Sequence, residues 1–297
     1  GPNRTLPSGV VLPRLRDSLR ARDLTARDRL PRPKLVPLCR SDEQLEAVIA
    51  AGLTEVELDW LELVGLRRAV ERAKSAGLSV IVATTRIEKP GEEKTTEHLV
   101  NLAPDGILVR HFGALVRHGQ KPGPRLHGDF SLNVANAVTG RHLLSCGLTD
   151  VTAGFDLDDA AILRLAEAMS PGTLSVVVFH QVPTFHTEHC VYAHLLSHGH
   201  DFRTCGRPCD RHQVSLRDHR GVDNPVIVDV GCRNTVFDGR HTSRLPLIGA
   251  LVARGVRRFR LELVRQSGKE TRELLGEFSA ALGSSQNVHN TMTHDTP

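Results

Sequence analysis

Four cysteines fall within 43 residues of this chain: Cys190, Cys205, Cys209 and Cys232, with fourteen, three and twenty-two residues between successive thiols. Four thiolates brought to one place bind a soft metal, and both a zinc ion and a 4Fe–4S cluster take that donor set. Glycine and proline stand beside the thiols in CGRPC and GCRN. These residues let a loop turn tightly enough to aim several sulfurs at one region. Zinc favours a closer pair than the C-x3-C of Cys205 and Cys209 but permits it, so the spacing leaves zinc and iron–sulfur open. Just ahead lies HTEH, whose His186, Glu188 and His189 are candidate ligands, candidate acid–base groups or ordinary polar loop residues. No HExxH or GxSxG is present, so neither a zincin nor an α/β-hydrolase site is written in the chain. Cys39 and Cys146 sit alone in apolar segments and read as core thiols.

A loop site needs a frame. Short apolar runs recur at Leu35–Leu38, Glu55–Leu58, Ser79–Ala83, Gly106–Val109, Leu126–Leu132, Asp150–Ala153, Leu174–Phe179 and Arg258–Val264. Helical stretches between them end in Gly-Leu or Gly-Val, as in AVIAAGL, RAKSAGL, LLSCGL and LVARGV, where glycine supplies the left-handed stop. Ser41 with Gln44 forms a capping box, and Asp156 to Asp159 lead into AAILRLAEAM. The strands read as continuous apolar runs, as expected when both faces are covered. Eight strand–helix beats without a GxGxxG turn predict an α/β fold, a TIM-like (β/α)8 barrel, over 34–283. The beat breaks over 181–242, a cysteine-rich insertion between strands seven and eight, at the barrel face where active-site loops lie.

Composition is that of an ordinary globular protein: 24% charged and 40% apolar residues, with a net charge of +4. No apolar run is long enough to span a membrane and no signal peptide is written, so a reducing, cytoplasmic setting is expected. Residues 1–33 carry Arg14, Arg16, Arg20, Arg22, Arg27, Arg29 and Arg32 interleaved with aspartates, which reads as a solvated helix face before it reads as a phosphate contact. The Gly1-Pro2 start reads as the remnant of a cleaved tag, and the sequence as a piece of a longer protein. Residues 284–297 read as disordered.

The text FHTEHCVYAHLLSHGHDFRTCGRPCDRHQVSLRD, followed by VIVDVGCRNTVFD, closely resembles the collagenase-like U32 peptidase family, in particular the second barrel of its long two-barrel bacterial members. HGDFSLNVANAVTGRHLLSCGLTDVTAGFDLD resembles the same family, and the resemblance runs from about Leu35 to Leu282. One departure stands out: the family's usual cysteine seven residues before Cys190 is Pro183 here, and Cys232 completes the quartet. The resemblance implies a 4Fe–4S cluster on Cys190, Cys205, Cys209 and Cys232. It also implies an oxygen-independent hydroxylase that modifies a nucleobase of ribosomal or transfer RNA, with prephenate as oxygen donor. A peptidase, or a non-catalytic cluster-bearing scaffold paired with a second barrel or homologous subunit, are the alternatives. Prephenate's two carboxylates call for arginine at the barrel mouth. Arg86, Arg110 and Arg207 are the candidates, with Asn133, Asp129, Asn136 and His180 for other polar groups. Aromatic residues are only 4% of the chain, so little is on offer for stacking RNA bases.

Overall fold

The computed structural model describes residue 13, residues 30–60, 63–199, 201 and 203–294, with side chains to 284 except at 64. The arginine-rich segment expected over 1–33 lies, up to residue 29, outside the described residues apart from position 13. From Lys34 the chain alternates β1 (Lys34–Cys39), α1 (Asp42–Ala50), β2 (Glu55–Leu58), α2 (Leu63–Ser75), β3 (Ser79–Ala83), α3 (Glu93–Asn101), β4 (Gly106–Val109), α4 (Phe112–His118) and β5 (Arg125–Gly128). It continues through α5 (Ala137–Ser145), β6 (Asp150–Thr152), α6 (Asp159–Ala168) and β7 (Leu174–Thr187). After an insertion come α8 (Ile248–Ala253), β11 (Arg258–Glu262) and α9 (Gly268–His294); α7 and β8 to β10 belong to the insertion. Strands β1 to β7 pair in sequence order and in parallel, and β11 pairs in parallel with both β7 and β1. The sheet closes on itself as a (β/α)8 barrel.

Local chemistry sets the element ends as expected. Ser41 Oγ accepts from the Gln44 backbone N–H, and Asp158 Oδ1 accepts from that of Ala161. Gln44 returns the favour one residue early, its Oε1 accepting from Arg40 N–H at 2.7 Å. Gly52, Gly77, Gly147 and Gly255 all take positive φ after their helices. Three boundaries differ from expectation, one of them the far end of β7, which runs on to Thr187. The Leu126–Leu132 run stops as a strand at Gly128 and turns into a 3-10 segment, Phe130–Leu132. The last helix continues to His294, where disorder was expected beyond 283.

The strands alternate more than their composition suggests. Val56, Leu58, Val80, Val82, Ile107, Val109, Phe259 and Leu261 face the helices in one large apolar cluster. The interior holds a smaller apolar set, Leu38, Ile81, Ala83 and Leu108, with Val36 and Val177 beside Arg260. The rest of the lumen is ionic, because β2 (EVEL) and β11 (RFRLE) turn their charges inward. Arg260, 1% exposed, donates to Glu57 and Asp129 at 2.8 Å each and to Glu262 at 2.8 Å. Below it Arg258 pairs with Glu55 and lies 3.4 Å from Asp150, which His127 meets at 2.7 Å. Such charges survive burial because each has several opposite partners.

The insertion is more regular than its sequence suggests. Strand β7 runs on past the barrel to Thr187 and pairs antiparallel with β10 (Asn234–Ser243), which pairs with β9 (Asp223–Val228), and β9 with β8 (Val214–Arg217). A short helix, α7 (Val191–Leu196), packs Tyr192 against Val226, Val228 and Val236. This three-strand extension stands on the C-terminal ends of the barrel strands.

Candidate functional site

The first residues past the barrel strands converge at the mouth. Arg40 follows β1, Asp59 follows β2, Arg86 lies three residues past β3 and Arg110 follows β4. Arg110 clasps Asp59 through both terminal nitrogens, at 3.0 and 2.9 Å, and lies 3.5 Å from Asp129. Arg40 also reaches Asp59 and, at 3.3 Å, Glu262. Burial pushes the Asp59 carboxyl up, but Arg110 and Arg40 outweigh it and hold the group well below the usual carboxylate range. Arg86 differs. Its Cζ sits 4.9 Å above the Phe130 ring, its Nη2 is shielded from solvent with no hydrogen-bond partner, and no carboxylate pairs with it among the described residues. Burial, with Arg110 beside it, brings its pKa down to about 10.

Arg40, Asp59, Arg86 and Arg110 line a narrow cleft of about 50 Å³ together with Trp60 and His186. His186 comes from the β7 extension. Its Nδ1 lies 2.9 Å from Thr235 Oγ1, while its Nε2 is buried with no partner. Burial and the nearby Arg86 and Arg233 lower its pKa to about 4, so the ring is neutral at pH 7.

The other side of this wall carries the cysteines. Thr85, Val228, Asp229 and Val230 line the cleft and also a larger cavity of about 560 Å³, and that cavity is bordered by Cys190, Cys205, Cys209 and Cys232. All four are free thiols. The loop geometry is built for sulfur. Gly206 and Arg207 take successive left-handed conformations, φ +66° and +53°, which turn the Arg207 N–H onto Cys205 Sγ at 3.4 Å. Cys232 is itself left-handed, φ +61°, in a turn where Asp229 Oδ1 accepts from Gly231 and Arg233 N–H at 2.8 and 2.9 Å. Burial, then Asp210 and Cys190, push the Cys209 thiol up to about 11, and burial with Cys190 and Cys205 raises Cys232. A cation that binds there must displace those protons. Among the described residues, no three His, Cys, Asp or Glu side chains meet closely enough to hold a single ion. The thiols border a space and do not converge on a point.

The sequence candidates therefore separate. Cys39 is buried in the outer core, and Cys146 packs at its edge, 3.9 Å from His142; neither borders the cysteine cavity. Arg86 and Arg110 reach the cleft, although Arg110 is spent on Asp59 and Asp129. Arg207 borders the cysteine cavity and pairs with Asp210 at 3.1 Å. Asn133 is exposed, with φ +57° at the end of the 3-10 turn, and lines neither cavity. It is no mouth residue, because the β5 strand ends five positions before it. Asn136 caps α5 through Thr139 N–H at 3.0 Å, and Asp129 is locked to Arg260. His180 lies inside β7 and not at its end; it is buried beside Arg244, its Nε2 3.4 Å from Arg244 Nη1, and burial with that guanidinium lowers its pKa to about 4. Glu188 binds Arg233 at 2.8 Å and pairs with Lys89, and exposed His189 stacks edge-on with His194 at 5.1 Å. Arg40, Asp59, Trp60, Asp229 and Arg233 were not expected at the site. Arg40 and Asp59 had a readable signal, since each is the first residue after a strand.

No family model and no curated protein matches the chain. Among solved structures it is similar to a designed cube-shaped protein cage, with TM-score 0.53, 12% identity, and coverage of 89% of this chain and 77% of that one. It also matches the U32 peptidase Mk0906, with TM-score 0.43, 17% identity and coverage of 52% and 70%, and an HpcH/HpaI aldolase from Desulfitobacterium hafniense DCB-2, with TM-score 0.42, 10% identity and coverage of 90% and 94%. Likeness at such identity speaks to fold alone. The chain is a TIM-like barrel. No helix among the described residues is long and apolar enough to cross a membrane.

Proposed function

We propose that this chain is the iron–sulfur barrel of an oxygen-independent hydroxylase that acts on an RNA nucleobase in the cytoplasm, with prephenate as the oxygen donor. The observation that carries this reading is the shared wall. Four thiols border one cavity, and residues of that cavity's wall, Thr85 and Val228 to Val230, also line a cleft holding an unpaired arginine. Thiols around a space suit a cluster of several irons better than one ion bonded to all four at about 2.3 Å. The N–H aimed at Cys205 Sγ suits a bound thiolate. Cys190, Cys205, Cys209 and Cys232 would hold the cluster, which would supply one-electron redox chemistry beside the cleft. Arg86 would take a donor carboxylate, while Arg110 keeps the mouth rigid through Asp59 and Asp129. The sequence resemblance to U32 proteins supports the same reading and supports a partner barrel as the holder of most of the RNA.

A peptidase would need an activated nucleophile in the cleft. The polar chemistry lining it is arginine, aspartate, threonine and the imidazole of His186, and the four thiols border the other cavity. The test is anaerobic purification followed by iron analysis and visible spectroscopy. A brown protein with about four irons per chain is expected, lost in Cys209→Ala and kept in Cys146→Ala. Zinc without visible absorption sinks the cluster assignment. Mass spectrometry of ribosomal and transfer RNA from a strain lacking the gene should then show one nucleoside short of an oxygen. Intact RNA together with casein hydrolysis would favour the peptidase.

A further inference from the structure

The insertion has a small core of its own. Tyr192, Val226, Val228 and Val236 pack together, apart from both apolar sets of the barrel. Its root is the β7–β10 ladder, and that ladder is broken where it leaves the barrel. Phe179 to Gln181 pair in register with His241 to Ser243, and Phe185 to Thr187 with Asn234 to Val236. Between these stretches Pro183 faces Phe237, Thr184 is skipped on one strand, and Asp238 to Arg240 are skipped on the other. Pro183 has no N–H to give the ladder. Side chains hold the joint instead: Thr184 Oγ1 donates to Val236 O at 3.1 Å, and Gln181 Nε2 to Asp238 O at 2.9 Å. Successive irregularities on facing strands concentrate bending in a few residues, as a hinge does.

The far side of the insertion is tied down across the mouth. In the ring of eight barrel strands β3 stands opposite β7. Two residues of the segment after β3 reach the insertion: Glu92 accepts from Arg233 Nη2 at 2.6 and 2.8 Å, and Lys89 pairs with Glu188. Arg265, which follows β11 beside β7, donates to the Val214 and Val226 carbonyls at 2.7 and 3.0 Å, on the hinge side. Both main cavities lie in the seam between the two bodies. Trp60 and Thr84 of the barrel face Ile227 and Thr235 of the insertion around the cleft, and Glu92 and Thr95 share the cysteine cavity with the thiols. The cleft holds about 50 Å³, room for a few waters, whereas a site enclosing an organic ligand needs roughly 300 Å³ or more.

We propose that residues 185–236 form a cap that swings about the joint at 182–184 and 237–240. It opens at the ion pairs of Lys89 and Glu92 to admit a ligand to the cleft, and the structure shows it closed. The cap asks nothing of the cluster or of the oxygen donor, since any organic ligand meets the same closed seam.

Trp60 is the chain's single tryptophan and lies on the barrel wall of the cleft, so a raised cap shows as faster acrylamide quenching of its fluorescence. The full chain is compared with the double variant Lys89→Ala, Glu92→Ala by that quenching and by hydrogen exchange. Loss of two partly exposed ion pairs should speed exchange in α7, β8 and β9 together, roughly five- to tenfold, and raise quenching with it. Strands β1 to β6 should keep their protection. High salt should raise both readouts in the unmodified chain by screening the same pairs, and should change the double variant little. Arg217→Gln removes an ion pair lying wholly inside the cap and should leave quenching as it was. Thermal melts show whether each variant keeps its barrel, and the salt arm needs no variant. Faster exchange confined to 229–234, an equal rise in the barrel strands, or quenching that neither salt nor the double variant moves overturns the cap.

Discussion

Arg86→Met should make the protein more stable while emptying the cleft of its charge. Arg86 keeps a buried guanidinium nitrogen unsatisfied and has no ion pair, and burial beside Arg110 lowers its pKa from 12.5 to about 10. A shift of that size corresponds to roughly 3 kcal/mol of destabilisation of the charged form. Its contact with the Phe130 ring is kept in kind by a methionine sulfur, and partial solvent contact at the mouth reduces the gain to about 1–3 kcal/mol. For a barrel of this size each kcal/mol moves Tm by about 2–4 °C, so a rise of several degrees is expected by calorimetry at pH 7.5. The sign of the pH dependence follows from the lowered value. Below about pH 10 both folded and unfolded chains hold the proton and the penalty is complete. Above it the folded chain releases the proton while the unfolded chain still binds it, so the unmodified protein gains on Arg86→Met between pH 9 and 11. A variant that is less stable than the unmodified protein at pH 7.5, with no narrowing at high pH, would refute the view that this arginine is uncompensated.

Arg260→Met should do the opposite, because it takes from Glu57, Asp129 and Glu262 the buried cation they share and leaves each with one more distant arginine; a loss of about 3–5 kcal/mol is expected in urea unfolding. Arg233→Ala should free the insertion without melting the barrel. Arg233 is 1% exposed and joins Glu92, just ahead of α3, to Glu188 beside the cysteines. Hydrogen exchange should accelerate at least about tenfold over 181–242 and stay unchanged in β1 to β6. Acid should destabilise the fold in two stages, through the buried histidines below about pH 6.5 and through the paired carboxylates below about pH 4. Burial opposes the ionised forms of Asp59 and Asp150, but Arg110 and Arg40 for the first, and His127 and Arg258 for the second, hold both far below the usual range. Their stabilisation is present above the ordinary carboxylate value and is lost as pH falls toward the folded one, while His180 and His186, held neutral with pKa values lowered to about 4, already cost stability as pH falls below about 6.5. Asp150→Asn should make the acid limb shallower, as read by circular dichroism.

The barrel was legible in the chain because its signals are local. Glycines that end four helices, side-chain caps at Ser41 and Asp158, and apolar runs at regular intervals each act within a few residues, so eight strands could be placed, six of them to within two residues of their ends. The quartet of thiols was legible for a different reason, since few residue types bind soft metals and their count is visible without a fold. Their gathering around one cavity was not, because Cys190 caps a helix while Cys232 sits in a turn beyond two strands of an antiparallel extension.

Which arginine is spare depends wholly on tertiary structure. Arg40, Arg86 and Arg110 all follow apolar strands and look alike in the sequence. The barrel's closure supplies Asp59, Asp129 and Glu262 to the first and third and leaves Arg86 against a phenyl ring. In the same way EVEL and RFRLE announce strands, but only the pairing of β11 with β1, and of β1 with β2, brings Glu57 and Arg260 across the lumen. Local propensity and composition thus determined the fold class and the metal-type donors, because backbone conformation and ligand chemistry are properties of short segments. Partnership between charges is a matter of distance through the closed barrel, and that the folded chain alone decides.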